Sequence, residues 1–219
     1  MEKHLRMFDT HSEYEEYINS QDKLLPNVSY CEDQKNLHYN PNLDYVDLGL
    51  PSGTLWAKTN LGAEREIDYG NYYMYGKTTT YNAQDTPYTG VENPLNLSLD
   101  AANQILGGNW HIPTRAQLVE LRANTTFEWI NNYQNTGVNG AKFTAQNGKY
   151  IFIPAAGYYM GSDFEGVTPG EFNAEGEDVS IWSSTPDGST EAYMCDIIDV
   201  EVFIGSYSRD SGYSIRPVK

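Results

Sequence analysis

The sequence predicts an α+β domain, with two helices early and a mainly antiparallel sheet late, on three observations. Two segments in the first half carry helical periodicity together with start and stop signals: one from about Ser98 to Leu106, the other beginning at Thr114. Downstream, the chain breaks into short runs rich in Val, Ile, Tyr, Phe and Trp, separated by Gly, Pro and Asn, as strands joined by tight turns require. Helices and strands are also segregated along the chain, which marks the α+β class rather than a parallel βαβ arrangement.

With 219 residues, the chain is long enough for one large core plus a small appendage. Lys and Arg total 14 against 30 Asp and Glu, a formal charge of −16, so a phosphate backbone would be repelled and nucleic acid is not an expected partner. The 18 Tyr, 19 Gly and 10 Pro distinguish the chain from a disordered acidic tract and suit a turn-rich fold with binding surfaces. No stretch approaches the ~18 consecutive apolar residues of a membrane helix, and the first residues lack the apolar region of an export signal. No membrane partner and no secretion signal are expected.

From the beginning, Ser12 and Glu15 form a capping box for a helix over Thr10–Gln21. Next, NVSYC and NLHYN flank the polar EDQK, predicting a hairpin of Asn27–Cys31 with Asn36–Asn40. Helix and hairpin together make an arm, residues 1–42, too small to be stable alone and so expected to dock on something. The main domain, 43–219, opens with two strands around Pro51-Ser52-Gly53 and continues with GNYYMYGKT, read as a strand of alternating Tyr. Gly107 is placed to end the first helix, and Thr114 with Gln117 forms a capping box for the second, whose buried face is Leu118 and Leu121. Asn147-Gly148 predicts a hairpin between AKFTA and KYIFIP, followed by strands in SIWSST, EAYMCDI, EVFIGSY and YSIRPV. Gly161–Asp178 reads as the longest irregular segment.

Chemistry-bearing motifs are sparse. GNYYMYGKT ends like a phosphate-binding loop but has five residues between its glycines where four are needed, and they are mostly aromatic. There is no Gly-x-Ser-x-Gly elbow, and His111 is the only histidine outside the arm, so it reads as scaffold rather than as part of a triad or metal site. Cys31 and Cys195 stand far apart, which offers neither a disulfide framework nor a thiolate zinc site; both read as buried free thiols. The carboxylates of 163–178 are possible oxygen ligands for calcium, but their spacing matches no EF-hand loop, and a solvated loop is the simpler reading. No catalytic residues, metal or cofactor are assigned, and the chain is not expected to be an enzyme.

The order of blocks is more specific than any one of them. VDLGLPSGTLWAKTNLGA, DYGNYYMYGK, GGNWHIPTRAQLVEL, NGKYIFIPAAGYY, IWSST, AYMCDI and RDSGYSIRPV together resemble the Fibrobacter-type major paralogous domain, a branch of the C-type lectin fold, from about Tyr45 to Lys219. The resemblance implies a C-type-lectin-like domain: two helices on a twisted antiparallel sheet, the last strand closing beside the first, and long loops presenting a ligand surface. Related variable proteins of diversity-generating retroelements bind through their C-terminal strands and loops. Carried over, this marks Tyr158, Tyr159, Asp163, Phe164, Asp187, Tyr207, Arg209, Asp210 and Tyr213 as exposed ligand-binding candidates.

The sequence also departs from the wider fold family. It has Glu92-Asn93-Pro94 in place of the Glu-Pro-Asn of calcium-dependent sugar binding, and lacks Trp-Asn-Asp. Cys195 has no nearby partner for the oxidase chemistry of the formylglycine-generating branch. The arm, EYEEYINSQDKLLPNVSYCEDQKNLHYNP, resembles the leader of virion structural proteins in phages of Bacteroides-type bacteria, including crAss-like phages. Together the two resemblances imply a virion surface protein (head fibre, capsid decoration or tail adhesin). It would bind other virion proteins through its arm, form a homo-oligomer, and meet a host surface polysaccharide or protein through its loops. A bacterial cell-associated binding protein with the same domain is the alternative.

Overall fold

The computed structural model describes residues 43–162 and 168–219, together with the backbone of three short strands in the arm. Those strands are β1 (Met7–Phe8), β2 (Ser29–Glu32) and β3 (Lys35–Leu37). β1 runs parallel to β2, and β2 pairs antiparallel with β3 in the register Tyr30↔Leu37, Cys31↔Asn36, Glu32↔Lys35. β2 and β3 thus pair antiparallel where the hairpin of Asn27–Cys31 with Asn36–Asn40 was expected. The expected helix over Thr10–Gln21 and the side chain of Cys31 lie outside the described residues.

In the main domain, β4 (Tyr45–Asp47) and β5 (Leu55–Ala57) pair antiparallel, Tyr45 opposite Ala57 and Asp47 opposite Leu55. Their connection is closed by the Gly53 amide donating to Leu50 O at 2.9 Å, with Gly53 at φ 76°, a conformation that penalises any Cβ. β6 (Tyr72–Tyr73) is only two residues long. Tyr73, Met74 and Tyr75 are all buried in succession, so the alternation expected over Gly70–Thr78 is absent. The backbone leaves the sheet at this point, and the Tyr75 amide bonds Arg209 O instead of a strand neighbour.

A 3₁₀ turn, Leu97–Leu99, leads into α1 (Ala101–Leu106). The helix starts later than its periodicity suggested because Asp100, not an earlier residue, supplies the cap. One carboxylate oxygen accepts from Asn103 N at 2.9 Å, and the other accepts from Ile112 N at 2.8 Å, tying α1 to the segment after it. Gly107, at φ 68°, ends the helix as expected. α2 (Arg115–Asn124) begins on the predicted capping box: Thr114 Oγ1 accepts from Gln117 N at 3.2 Å, and the Gln117 side chain accepts from Thr114 N at 2.8 Å. Leu118 and Leu121 are its buried residues.

β7 (Thr125–Ile130), β8 (Gly140–Ala145) and β9 (Tyr150–Pro154) form an antiparallel sheet, the last two joined at the predicted Asn147-Gly148 turn. β10 (Tyr158–Tyr159) and β11 (Phe172–Asn173) are a short antiparallel pair. Because β11 interrupts 161–178, the longest irregular run among the described residues is instead 74–96. β12 (Val179–Asp187), β13 (Glu191–Ile198), β14 (Glu201–Ser208) and β15 (Tyr213–Ser214) join β6 in a five-stranded sheet of order β14-β13-β12-β15-β6.

This sheet is buried on both faces, and strand alternation sorts its side chains between two cores. Val179, Ile181, Cys195 and Ile197 join Trp56, Phe143, Ile151 and the α2 leucines on one side. Trp182, Ala192 and Met194 join Tyr73, Tyr75, Trp110, Ile112 and Tyr213 on the other. Fully buried Trp56 and Trp182 each contribute about 1.5–3 kcal/mol of apolar burial. The final segment closes the molecule: Ala57 N donates to Pro217 O at 2.9 Å, while His111 and Val218 exchange two backbone bonds at 2.9 Å. The last strand, β15, lies between β12 and β6 rather than beside the first; it is the residues after it that close onto β5, and His111 serves that closure through its backbone. Its Nδ1 lies 2.9 Å from Asn109 O, a local scaffold contact.

Candidate functional site

The sequence candidates before and after the final hairpin are brought together by the fold. Tyr159 and Gly212 exchange two backbone hydrogen bonds of 2.9 Å, joining β10 to the loop that follows β14. The Asp210 carboxylate reaches back to the same place, accepting from the Ser162 amide at 3.1 and 3.2 Å and from the Ser208 hydroxyl. Burial alone would raise the Asp210 pKa, but the hydrogen bonds from Ser208 and Ser162 outweigh it and hold the carboxyl below its usual range. A fixed carboxylate thus stands at the root of the loop.

Around Tyr159 the rings form a continuous aromatic face. Tyr81 stacks on Tyr159 with centroids 4.7 Å apart and planes at 13°, and Tyr72 meets Tyr159 edge-on at 5.3 Å. Phe172, across the β10–β11 pair, lies 4.9 Å from Tyr159 and 5.5 Å from Tyr72. Tyr72, Tyr81 and Tyr159 are partly buried and Phe172 is 37% exposed, so the rings are held by their neighbours while remaining open to solvent. The close approach needs small residues beneath: a Cβ on Gly212 would come within 2.5 Å of the Tyr81 ring. Burial raises the hydroxyl pKa of both Tyr72 and Tyr81, with Asp210 adding to the effect at Tyr81, so both phenols are neutral hydrogen-bonding groups at physiological pH.

Tyr81 belongs to the long irregular segment 74–96, and the two limbs of that loop line an open cleft of about 430 Å³. Lys77, Thr78, Thr79, Thr86, Tyr88 and Ser98 supply its polar wall. Beneath the loop lies Arg209, which the sequence reading placed among the exposed candidates. The structure corrects this. Arg209 is fully buried, and its guanidinium donates to Glu191 O (2.9 Å), Tyr88 O (2.7 Å), Gly90 O (2.7 Å) and Gly188 O (2.6 Å). It is a staple between the loop and the β12–β13 hairpin, stacked 4.7 Å above the Tyr75 ring. Burial lowers its pKa, yet four carbonyls compensate the charge.

Tyr213 is also corrected, because it is 1% exposed and packs 4.5 Å from Trp182 in the second core. Tyr158 and Tyr207 are partly buried on the same core, with rings 5.7 and 6.4 Å from Tyr213. Asp187 is exposed at the end of β12, on the hairpin that Arg209 ties down. Asp163 and Phe164 lie outside the described residues. The sequence reading missed Tyr72, Tyr81 and Phe172. Tyr81 had a usable signal, a lone aromatic in the polar loop TTTYNAQD, whereas Tyr72 was hidden in a run read as a strand.

Among the described residues, no three His, Cys, Asp or Glu side chains converge as a metal site, and no helix is long and apolar enough to cross a membrane. Cys195 is buried and free, and burial pushes its thiol well above the ordinary value. No protein-family model, curated protein or solved structure matches the chain.

Proposed function

We propose that this chain is a surface protein of a phage particle: a C-type-lectin-like domain, carried on a docking arm, that binds a host surface polysaccharide or protein through the aromatic face around Tyr159. One observation carries the binding site. Rings from three separated stretches, Tyr72 with Tyr81, Tyr159 and Phe172, meet in one partly open face beside the fixed Asp210 carboxylate. Aromatic faces pack on the C–H surfaces of sugars or on apolar side chains, and a carboxylate with remaining lone pairs accepts from a hydroxyl or amide. The neighbouring cleft adds threonine hydroxyls and the Lys77 ammonium. The lectin-like assignment is supported by the ordered sequence blocks and by helix-on-sheet packing; the virion assignment is supported by the sequence of the arm.

Phe172→Ala and Tyr81→Ala test the face. Each is expected to weaken adsorption to the host surface about tenfold, the equivalent of ~1.4 kcal/mol, with the far-ultraviolet circular dichroism of the folded protein retained. Unchanged adsorption in both variants would eliminate this surface as the binding site.

A further inference from the structure

The solvent face of α2 carries a charge pattern that local rules oppose. Arg115 is the first residue of the helix, where the helix dipole disfavours a cation. It is held there by the Tyr193 ring on β13, whose centroid lies 4.4 Å from the guanidinium carbon. Two turns further along, about 10 Å on the helix axis, stands Arg122, and between them Val119 is 45% exposed. Both arginines are exposed as well, and the three residues fall on one stripe. The one carboxylate of the helix does not neutralise the stripe, because Glu120 is engaged by Ser52, whose amide donates to it at 2.8 Å. Among the described residues the ion pairs are Lys58–Asp44, Arg65–Asp68 and Lys142–Glu128. Neither arginine of α2 therefore has a carboxylate partner there, in a chain with 30 acidic residues. Such a stripe, cationic at both ends and apolar at its centre, complements an acidic segment with an apolar residue in its middle.

We infer that the stripe receives the arm of a second copy of this chain, through Glu15, Ile18 and Asp22; the inference rests on the docking role proposed for the arm and assigns its receptor. The spacing carries the match. From Arg122 back to Arg115 the stripe steps by three residues, to Val119, and then by four; from Glu15 forward to Asp22 the arm steps by three, to Ile18, and then by four. With the helix over Thr10–Gln21 that the capping box predicts, and Asp22 directly after it, an antiparallel arrangement sets Glu15 against Arg122, Ile18 against Val119 and Asp22 against Arg115. Guanidinium and carboxylate pair through a bidentate fork, and Arg115 is already positioned by its ring. Copies that each carry a charge of −16 repel one another at long range, so their association requires local complementarity of this kind. Since every copy has both an arm and a stripe, two copies related by a two-fold axis exchange arms reciprocally.

Sedimentation of charge-reversed full-length chains over a concentration series tests this. The unmodified chain is expected to dimerise. One variant carries Arg115→Glu with Arg122→Glu, the other Glu15→Arg with Asp22→Arg, and each alone is expected to raise the dimer Kd by more than about tenfold. Mixed in equal amounts, the two variants are complementary again: the acidic arm of the first meets the unaltered stripe of the second, and the basic arm of the second meets the reversed stripe of the first. The dimer is therefore expected to return as the mixed species. Circular dichroism and melting temperature of each variant check that the fold is retained. A monomeric unmodified chain, a reversed variant that dimerises as tightly as the unmodified one, or a mixture that stays monomeric would overturn the inference. Entry into particles that still depends on 1–42 in a monomeric chain would leave the docking role of the arm standing while removing this receptor.

Discussion

Asp178 sits where burial, the Asp196 carboxylate and Glu177 all oppose its charge, and its pKa is pushed up to about 6 from an ordinary 3.8. The sign of the consequence is fixed by linkage. Between those two values the folded state holds a proton that the unfolded chain has released. The stabilisation is therefore fully present below about pH 4 and is lost as pH rises through about 6. Replacing Asp178 by Asn removes the ionisation cost. Since the group is only partly buried, solvent screening reduces the gain to about 1 kcal/mol at pH 7, with no gain near pH 4. Thermal melts of both proteins at the two pH values check this; an equal shift at both would assign the effect to packing instead. Arg216 illustrates the complementary case of a buried cation. Fully buried, with its pKa pushed down to about 9, it keeps its place by donating to Asn60, to Ala57 O and to Phe152 O at 3.0–3.1 Å.

Between elements, Arg209 is the decisive connection. Replacing it by Met would leave four carbonyls, on Glu191, Tyr88, Gly90 and Gly188, without their donor. The expected cost is about 3–5 kcal/mol in chemical denaturation, with faster hydrogen exchange in both 86–92 and 187–191. Arg209→Lys is not expected to rescue it, because one ammonium cannot span carbonyls arranged for a guanidinium fork. This also shows why some elements were legible in the sequence and others were not. The Thr114–Gln117 capping box and the Asn147-Gly148 turn are local, so a few adjacent residues specify them. β7 was not read from the sequence: Thr126 and Glu128 do alternate with the inward-facing Phe127 and Trp129, but the strand continues directly from α2 with no turn signal to mark its start. The course of 74–96 was not legible: its anchor, the contact between Tyr88 and Arg209, spans 121 residues. The same separation misled the reading of Arg209, which looks like a loop cation until the carbonyls around it are known.

For the whole molecule, the fold class could be read from composition and the order of elements, whereas the binding face could not. The face is assembled from residues near 72, 81, 159 and 172, which no single motif contains. The division between arm and domain has its own test at this scale. Among the described residues the two cores are built from positions in 43–219, and a chain lacking 1–42 is expected to retain a folded domain while being absent from purified particles. Incorporation of the shortened chain would remove the proposed role of the arm.

The pairing of the final residues with β5 has a kinetic side. Arg216 bonds Ala57 O across 159 positions, and Val218 is wedged between Trp56 and His111. Contacts so distant in sequence form only after a large loop has closed, which makes for slow folding of a sheet-rich chain. During synthesis, neither core can be sealed until these residues have emerged from the ribosome. Until then the apolar faces of β5 and the His111 segment are left without this neighbour, and the nascent chain is exposed to aggregation.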